Sequence, residues 1–270
     1  MIQAEKPLLM SDGKSVVLTI VSPSVPPVGV VQLVHGFGDH AGRYVHLDDV
    51  LAAEGYAVVA ADLRGHGKTP GPRGIADYNR LLDDIREVGR WIQGQFQGLP
   101  IFLYGHSLGG NLVLNRLLRH DPAPYRAAVA SSPWLRLHKP PGVLKRTLAR
   151  ILAGLPGSFS MESNLHLPDL THDAAIVGET SRDPLFHGRM GVRLFHQIEA
   201  AGEYALEHAA SLPLPVLLMA GEDDRIVSGA AIAEFAVKAR NRVQFMDFHG
   251  MAHELHNEIE RIQVFSRVLS

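Results

Sequence analysis

The chain has 270 residues, 46% hydrophobic and 20% charged, with a formal net charge of −2. Such a length fits one large domain, which buries roughly three quarters of its unfolded surface and needs no disulfide or metal for stability. The lack of cysteine excludes thiol catalysis, disulfides and Cys-ligated zinc, and the small net charge argues against nucleic acid as a partner.

The N-terminal stretch MIQAEKPLLMSDGKS lacks the apolar core of a signal peptide. No apolar run reaches the ~18 residues of a membrane span, so a cytoplasmic protein is expected. Val16–Val21 alternates weakly and reads as an early edge strand. Val28–His35 is a continuous β-branched run, as a strand buried on both faces requires. Arg43–Glu54 has helical spacing and ends at Gly55. Tyr56–Asp62 is the next strand, Asp77–Gln97 a long amphipathic helix, Pro100–Tyr104 a strand, Leu108–Arg119 a helix and Ala127–Ser131 a strand. This alternation predicts an α/β fold with a mostly parallel sheet.

Between Pro133 and Phe195 the alternation breaks, with prolines at 140, 141, 156, 168 and 184 and no convincing strand. The stretch reads as an inserted lid over the carboxyl edge of the sheet, with residues 1–132 and 196–270 as the core. Alternation resumes with the strand Leu214–Ala220, a helix over Ser228–Ala239, the strand Val243–Phe248 and a final helix from about Glu254.

The strongest chemical signal is Gly105-His106-Ser107-Leu108-Gly109, a G-x-S-x-G pattern between a strand and a helix. In a nucleophile elbow the serine takes a strained backbone that lifts its hydroxyl above the sheet edge. Gly105 and Gly109 are expected because a Cβ at either would strike the neighbouring strand and helix. A serine hydroxyl is a weak nucleophile and needs a base that is itself oriented by an acid. With this elbow the acid and then the base follow later in the chain. Gly221-Glu222-Asp223-Asp224 follows a late strand, and Asp224 is preferred as the acid, with Asp223 as the competing choice. His249-Gly250-Met251-Ala252-His253 follows the last strand, and His253 is the expected base. The two donors of an oxyanion hole are expected to be the backbone amides of Phe37, in the loop Gly36-Phe37-Gly38, and of Leu108. His35 reads as a support for that loop, and Asp62-Leu63-Arg64-Gly65-His66-Gly67 as a structural turn. The 15 histidines are scattered without metal-ligand spacing, so no metal and no cofactor are expected.

With these residues in hand, the chain resembles the monoacylglycerol lipase and lysophospholipase branch of the α/β-hydrolases. His35-Gly36-Phe37-Gly38-Asp39-His40-Ala41-Gly42-Arg43-Tyr44 is similar to that branch's HG-x-G-E-H-x-x-R-Y block, with Asp39 in place of Glu. Asp62 to Gly67 resembles its D-x-R-G-H-G block and Ser107 its GHS-x-GG elbow; Gly221 and Asp224 fit G-x-x-D, Gly250 and His253 fit G-x-x-H. Leu170-Thr171-His172-Asp173 and Asp183-Pro184-Leu185-Phe186-His187 are similar to its LTHD and DPL-x-H. The resemblance covers nearly the whole chain. It implies an eight-stranded sheet flanked by helices, a helical lid after the sixth strand, and hydrolysis of carboxylic esters, with lipid monoesters as the substrate class.

The stretch 133–169 matches no motif of that branch. Within it Val143, Leu144, Thr147, Leu148, Ile151, Leu152 and Leu155 fall on one side of a helical wheel, and Lys139, Lys145, Arg146 and Arg150 on the other. Packing on the core, lining an acyl pocket, is the preferred reading; docking on anionic lipid, as a peripheral contact, is its alternative. Rival functions are thioester or carbon–carbon bond hydrolysis on the same triad and a non-catalytic binding module.

Overall fold

The computed structural model describes residues 2–140, 142, 159–163 and 165–270. The expected basic helix over 143–155 lies outside the described residues. The strands β1 (Ile2–Leu9), β2 (Ser15–Ser22), β3 (Gly29–Val34), β4 (Tyr56–Ala61), β5 (Ile101–His106), β6 (Tyr125–Ser131), β9 (Val216–Gly221) and β10 (Val243–Phe248) form one sheet. Its order is β1-β2-β4-β3-β5-β6-β9-β10, antiparallel at β1/β2 and β2/β4 and parallel elsewhere. The eight-stranded, mostly parallel sheet is therefore as expected.

Residues along each central strand alternate between two cores, as the two-residue period of a strand demands. Val30 and Val34 of β3 and Ala57 and Val59 of β4 join one core. Val31, Leu33, Val58 and Ala60 join the other. The first core is closed by α2 (Tyr78–Gln95), α3 (Leu108–Arg119), α5 (Val192–His208) and α6 (Gly229–Ala239). The second is closed by α1 (Val45–Ala53) and α7 (Arg261–Val268). Asp77 and Ser228 cap α2 and α6 with their side chains, which is why these helices start one residue later than their periodicity suggests.

Three expectations need correction. The edge strand is β1, and Val16–Val21 lies in the second strand; β1 is exposed almost throughout, so it carries no alternation to read. The final helix does not start at Glu254: a short 3-10 turn at Leu255–Asn257 precedes α7, which begins at Arg261. The stretch between β6 and β9 does hold strands, β7 (Ser160–Glu162) and β8 (Arg189–Gly191), paired antiparallel and too short to leave a pattern. This stretch also holds α4 (Ala174–Arg182). Trp134 and Leu135, at its start, are buried in the first core, and α5 runs through its end.

The chain turns from β3 to β4 on one side and then places β5 on the other. The carboxyl ends of β3 and β5 thus flank a topological switch point, where open α/β sheets form their clefts.

One buried acid sits awkwardly. Asp48 of α1 is 7% exposed, its Oδ1 has no hydrogen-bond partner, and burial pushes its carboxyl up to about 7 from an ordinary 3.8, with Asp49 adding to the effect. The unfolded chain ionises this group more readily than the folded one does. The cost to stability is therefore absent below pH ~4, grows as pH rises and is complete above about 7. Asp48→Asn is expected to raise the thermal midpoint by several degrees at pH 8, with the gain shrinking towards pH 5; a pH-independent gain or a loss at pH 8 would refute this.

Candidate active site

Ser107 ends the turn between β5 and α3 with φ 55° and ψ −116°, a strained conformation for a residue with a side chain. Its amide donates to the Ser131 carbonyl at 2.9 Å, and its own carbonyl accepts from Asn111 and Trp134, both at 3.0 Å. Those three bonds fix the peptide on both sides. The turn is tight for a steric reason. A Cβ on Gly109 would overlap the carbonyls of Val34 and His35, and one on Gly105 would overlap the Gly109 carbonyl and the Val113 side chain. The helix therefore lies directly on β3. On the other side, a Cβ on Gly36 would stand 3.3 Å from that of Ser107, so the loop after β3 passes beside the hydroxyl-bearing carbon.

His35 spends both ring nitrogens on structure. Nε2 accepts from the Leu63 amide at 2.8 Å, so Nδ1–H is the donor to the Gly36 carbonyl, also at 2.8 Å. Burial lowers its pKa. The Asp62–Gly67 turn is likewise structural. The Asp62 carboxylate accepts from the amides of Ala41 (2.8 Å) and Lys68 (2.7 Å). Arg64 is clamped between Asp84 (2.6 Å) and Asp12 (2.8 Å).

Of the three acids after β9, only Asp224 is buried. Its Oδ1 accepts from the amides of Ile226 (2.8 Å) and Val227 (2.9 Å), and its Oδ2 meets His253 Nδ1 at 2.7 Å. Asp223 is exposed and contributes its amide to the Met251 carbonyl; Glu222 pairs with His249 at the surface. A carboxylate only accepts, so Nδ1 of His253 carries the proton and Nε2 of the neutral ring keeps its lone pair. Burial alone would lower the His253 pKa, but the Asp224 charge and hydrogen bond outweigh it and the net shift is upward. The His253 carbonyl is held by Ser132 Oγ at 2.8 Å, and its ring packs 4.8 Å from that of His106, beside Ser107.

Residues 25–260 match a family model described as "Serine aminopeptidase, S33". The chain belongs to this serine-hydrolase family. A monoacylglycerol lipase of Mycolicibacterium smegmatis is 30% identical over 262 residues, covering 96% of this chain and 92% of the relative. The crystal structure of a Paleococcus ferrophilus monoacylglycerol lipase, 28% identical, superposes with a TM-score of 0.85 over 100% of this chain and 97% of that one. An uncharacterized abhydrolase domain-containing protein of Dictyostelium discoideum is 29% identical over 268 residues; the chain covers only 28% of that longer protein. The chain thus lies in the monoacylglycerol lipase branch of the α/β-hydrolases.

One feature of this branch member escaped the sequence: a buried ion network beside His253. Arg43 makes two 2.8 Å bonds to Glu254, one of 3.1 Å to Asp39 and one of 2.8 Å to Thr180 of α4. Tyr44 donates to Asp39 at 2.8 Å. Burial would raise the carboxyls of Asp39 and Glu254, yet the Arg43 charge holds both below their ordinary values. The R-Y of the first motif block was the available signal, but its partner at Glu254 lies 211 residues away. Among the described residues no His, Asp and Glu group is arranged to hold a metal, and no helix is long and apolar enough to cross a membrane.

Replacing Asp224 by Asn removes the charge while keeping the shape, and burial then acts on His253 against only the remaining charges of Glu254 and Asp39. The His253 ring is expected to titrate above 6.5 in the wild type and at a lower pH in Asp224→Asn, followed by NMR of the ring carbons. Equal titration points in the two proteins would contradict the assignment of the upward shift to Asp224.

Proposed function

We propose that this ester hydrolase cleaves lipid monoesters, monoacylglycerols or lysophospholipids, through an acyl-serine intermediate. Ser107 Oγ attacks the ester carbonyl as His253 Nε2 takes its proton, and Asp224 keeps the imidazole in the tautomer that allows this. The tetrahedral oxyanion is held by the amides of Phe37 and Leu108. Collapse breaks the ester bond, and the His253 proton passes to the departing alcohol. Water, deprotonated by the same imidazole, then releases the fatty acid and restores Ser107. Because His253 must be neutral to act, activity falls as pH drops through its raised pKa.

The single observation that carries the substrate class is the end-to-end match to the Mycolicibacterium monoacylglycerol lipase. The name of the matching family, serine aminopeptidase, points instead to peptides with a free amino terminus, so the test must offer both. Ester cleavage is expected to rise from butanoyl to dodecanoyl glycerol by at least ~10², since each buried methylene is worth up to about 0.8 kcal/mol, roughly fourfold. Ser107→Ala is expected to lower kcat by about 10⁴–10⁶ with its fold intact, and to lose labelling by a fluorophosphonate. Flat chain-length dependence, or preference for aminoacyl anilides over monoacylglycerols, would overturn the substrate reading; near-normal turnover by Ser107→Ala would overturn the mechanism.

In this reading residues 133–195 act as a lid whose apolar side lines the acyl pocket; the alternative, that its basic stretch docks on lipid aggregates, has a separate test. Phe159 and Met161, which follow that stretch, are 45% and 49% exposed. Binding to anionic vesicles is expected to weaken with salt and with Lys145→Glu plus Arg146→Glu. Unchanged binding and unchanged activity on aggregated substrate would remove the membrane element and leave the ester chemistry standing.

A further inference from the structure

The peptide that carries the Phe37 amide is held from one side by His35, whose Nδ1–H engages the Gly36 carbonyl. In a trans peptide the C=O and the next N–H point in opposite directions, so fixing the Gly36 oxygen also aims the Phe37 N–H. The other side of this loop is held by a residue far along the chain. The His187 amide donates to the Gly38 carbonyl at 2.9 Å, and its Nε2–H donates to the Gly65 carbonyl at 3.0 Å. Gly38 has φ +73°, and a Cβ there would overlap the His187 carbonyl, so the two backbones are pressed together. The His187 ring lies 5.9 Å from the Phe37 ring, edge-on, and 4.8 Å from that of His66, which itself meets Phe37 edge-on at 5.8 Å.

We propose that His187 is a positioning residue for the oxyanion hole: it ties the stretch between β6 and β9 to the loop Gly36–Gly38 and to the Gly65 turn, and so holds the Phe37 amide in place. His187 does not touch the reacting atoms. It acts through the loop, and its effect belongs to the transition state, where the oxyanion has formed. A side chain that merely lined the acyl or alcohol pocket would change substrate binding instead. The proposal rests on the assignment of Phe37 as an oxyanion donor. Its geometry also has a direct consequence for the loop whether or not the ester reading holds.

The ring offers two separable contributions, a donor at Nε2 and a flat face against Phe37 and His66. Its Nδ1 has no partner, so only one polar contact is there to lose. A glutamine amide reaches about as far as Nε2 and can donate to Gly65, whereas alanine keeps neither contribution. His187→Ala is therefore expected to lower kcat roughly 10–100-fold on a soluble short-chain ester while KM changes less than about twofold. His187→Gln should recover most of the loss. Hydrogen–deuterium exchange of the segment 33–41 should quicken in His187→Ala and return towards wild type in His187→Gln. The proposal is overturned if KM rises while kcat holds, if Gln rescues no better than Ala, or if exchange in 33–41 is unchanged by His187→Ala. Should the wild type cleave no ester, the ester reading fails by itself, and the exchange measurement alone then decides whether His187 holds the loop.

Discussion

The close approach of α3 to β3 at Gly109 is the constraint from which the rest of the site follows. A helix laid that near a strand end leaves no room for a Cβ, and the chain linking β5 to it must turn within one residue. Ser107 absorbs that turn at φ 55°, and three backbone hydrogen bonds hold it there. The strain is affordable because β3 and β5 are buried central strands whose pairing resists relaxation. The same approach brings the first turn of α3 beside the loop after β3, so a single packing decision sets both Ser107 and the amides near it.

A second constraint joins loops that the sheet alone would leave independent. Arg43, on the segment after β3, binds Glu254, the residue directly after His253, and Thr180 of α4. Buried ion pairs are poor sources of net stability, since desolvation offsets much of the attraction, but removing one partner leaves a charge stranded at a cost of about 3–5 kcal/mol. Such a network therefore acts as a register device more than a source of stability. It fixes where the His253 loop and α4 sit relative to the segment that carries Gly36 to Gly38. On the opposite side His40 and Asp183, 2.7 Å apart, fasten the end of α4 to the same segment.

These layers were legible in the sequence to different degrees. Ser107 was readable because an elbow needs small residues at fixed offsets, and steric rules are local. The position of His253 followed from chain order, since its loop leaves the last strand of the sheet. Asp224 stood out from Asp223 and Glu222 by its place deepest in the loop, a preference that family spacing strengthened; its burial and its two amide donors depend on how the loop closes over Ile226 and Val227. The Arg43–Glu254 pair was out of reach, because no local rule links residues so far apart. β1 was missed for a different reason: a strand exposed on both faces, with Pro7 and alternating charges at Glu5 and Lys6, has no burial pattern to betray it. Its hydrogen bonding comes from β2, whose own alternation was weak enough to be mistaken for the edge.

The abundance of histidine, which at first invites a metal, has another explanation. His35, His66, His106 and His256 are all buried around the sheet edge, and burial lowers each of their pKa values, His256 to about 4. At neutral pH they are uncharged, planar and compact, able to stack as His256 does on Tyr44 at 4.4 Å. None of them brings a positive charge into this buried edge of the sheet. His253 is as buried as they are, yet its pKa moves the other way, because it alone in this group meets a buried carboxylate whose other oxygen is already satisfied by two amides. One ring among several chemically identical neighbours is thereby singled out to carry a proton. What distinguishes His253 is the placement of Asp224, and the remaining imidazoles, neutral and buried, do not compete for the proton it carries.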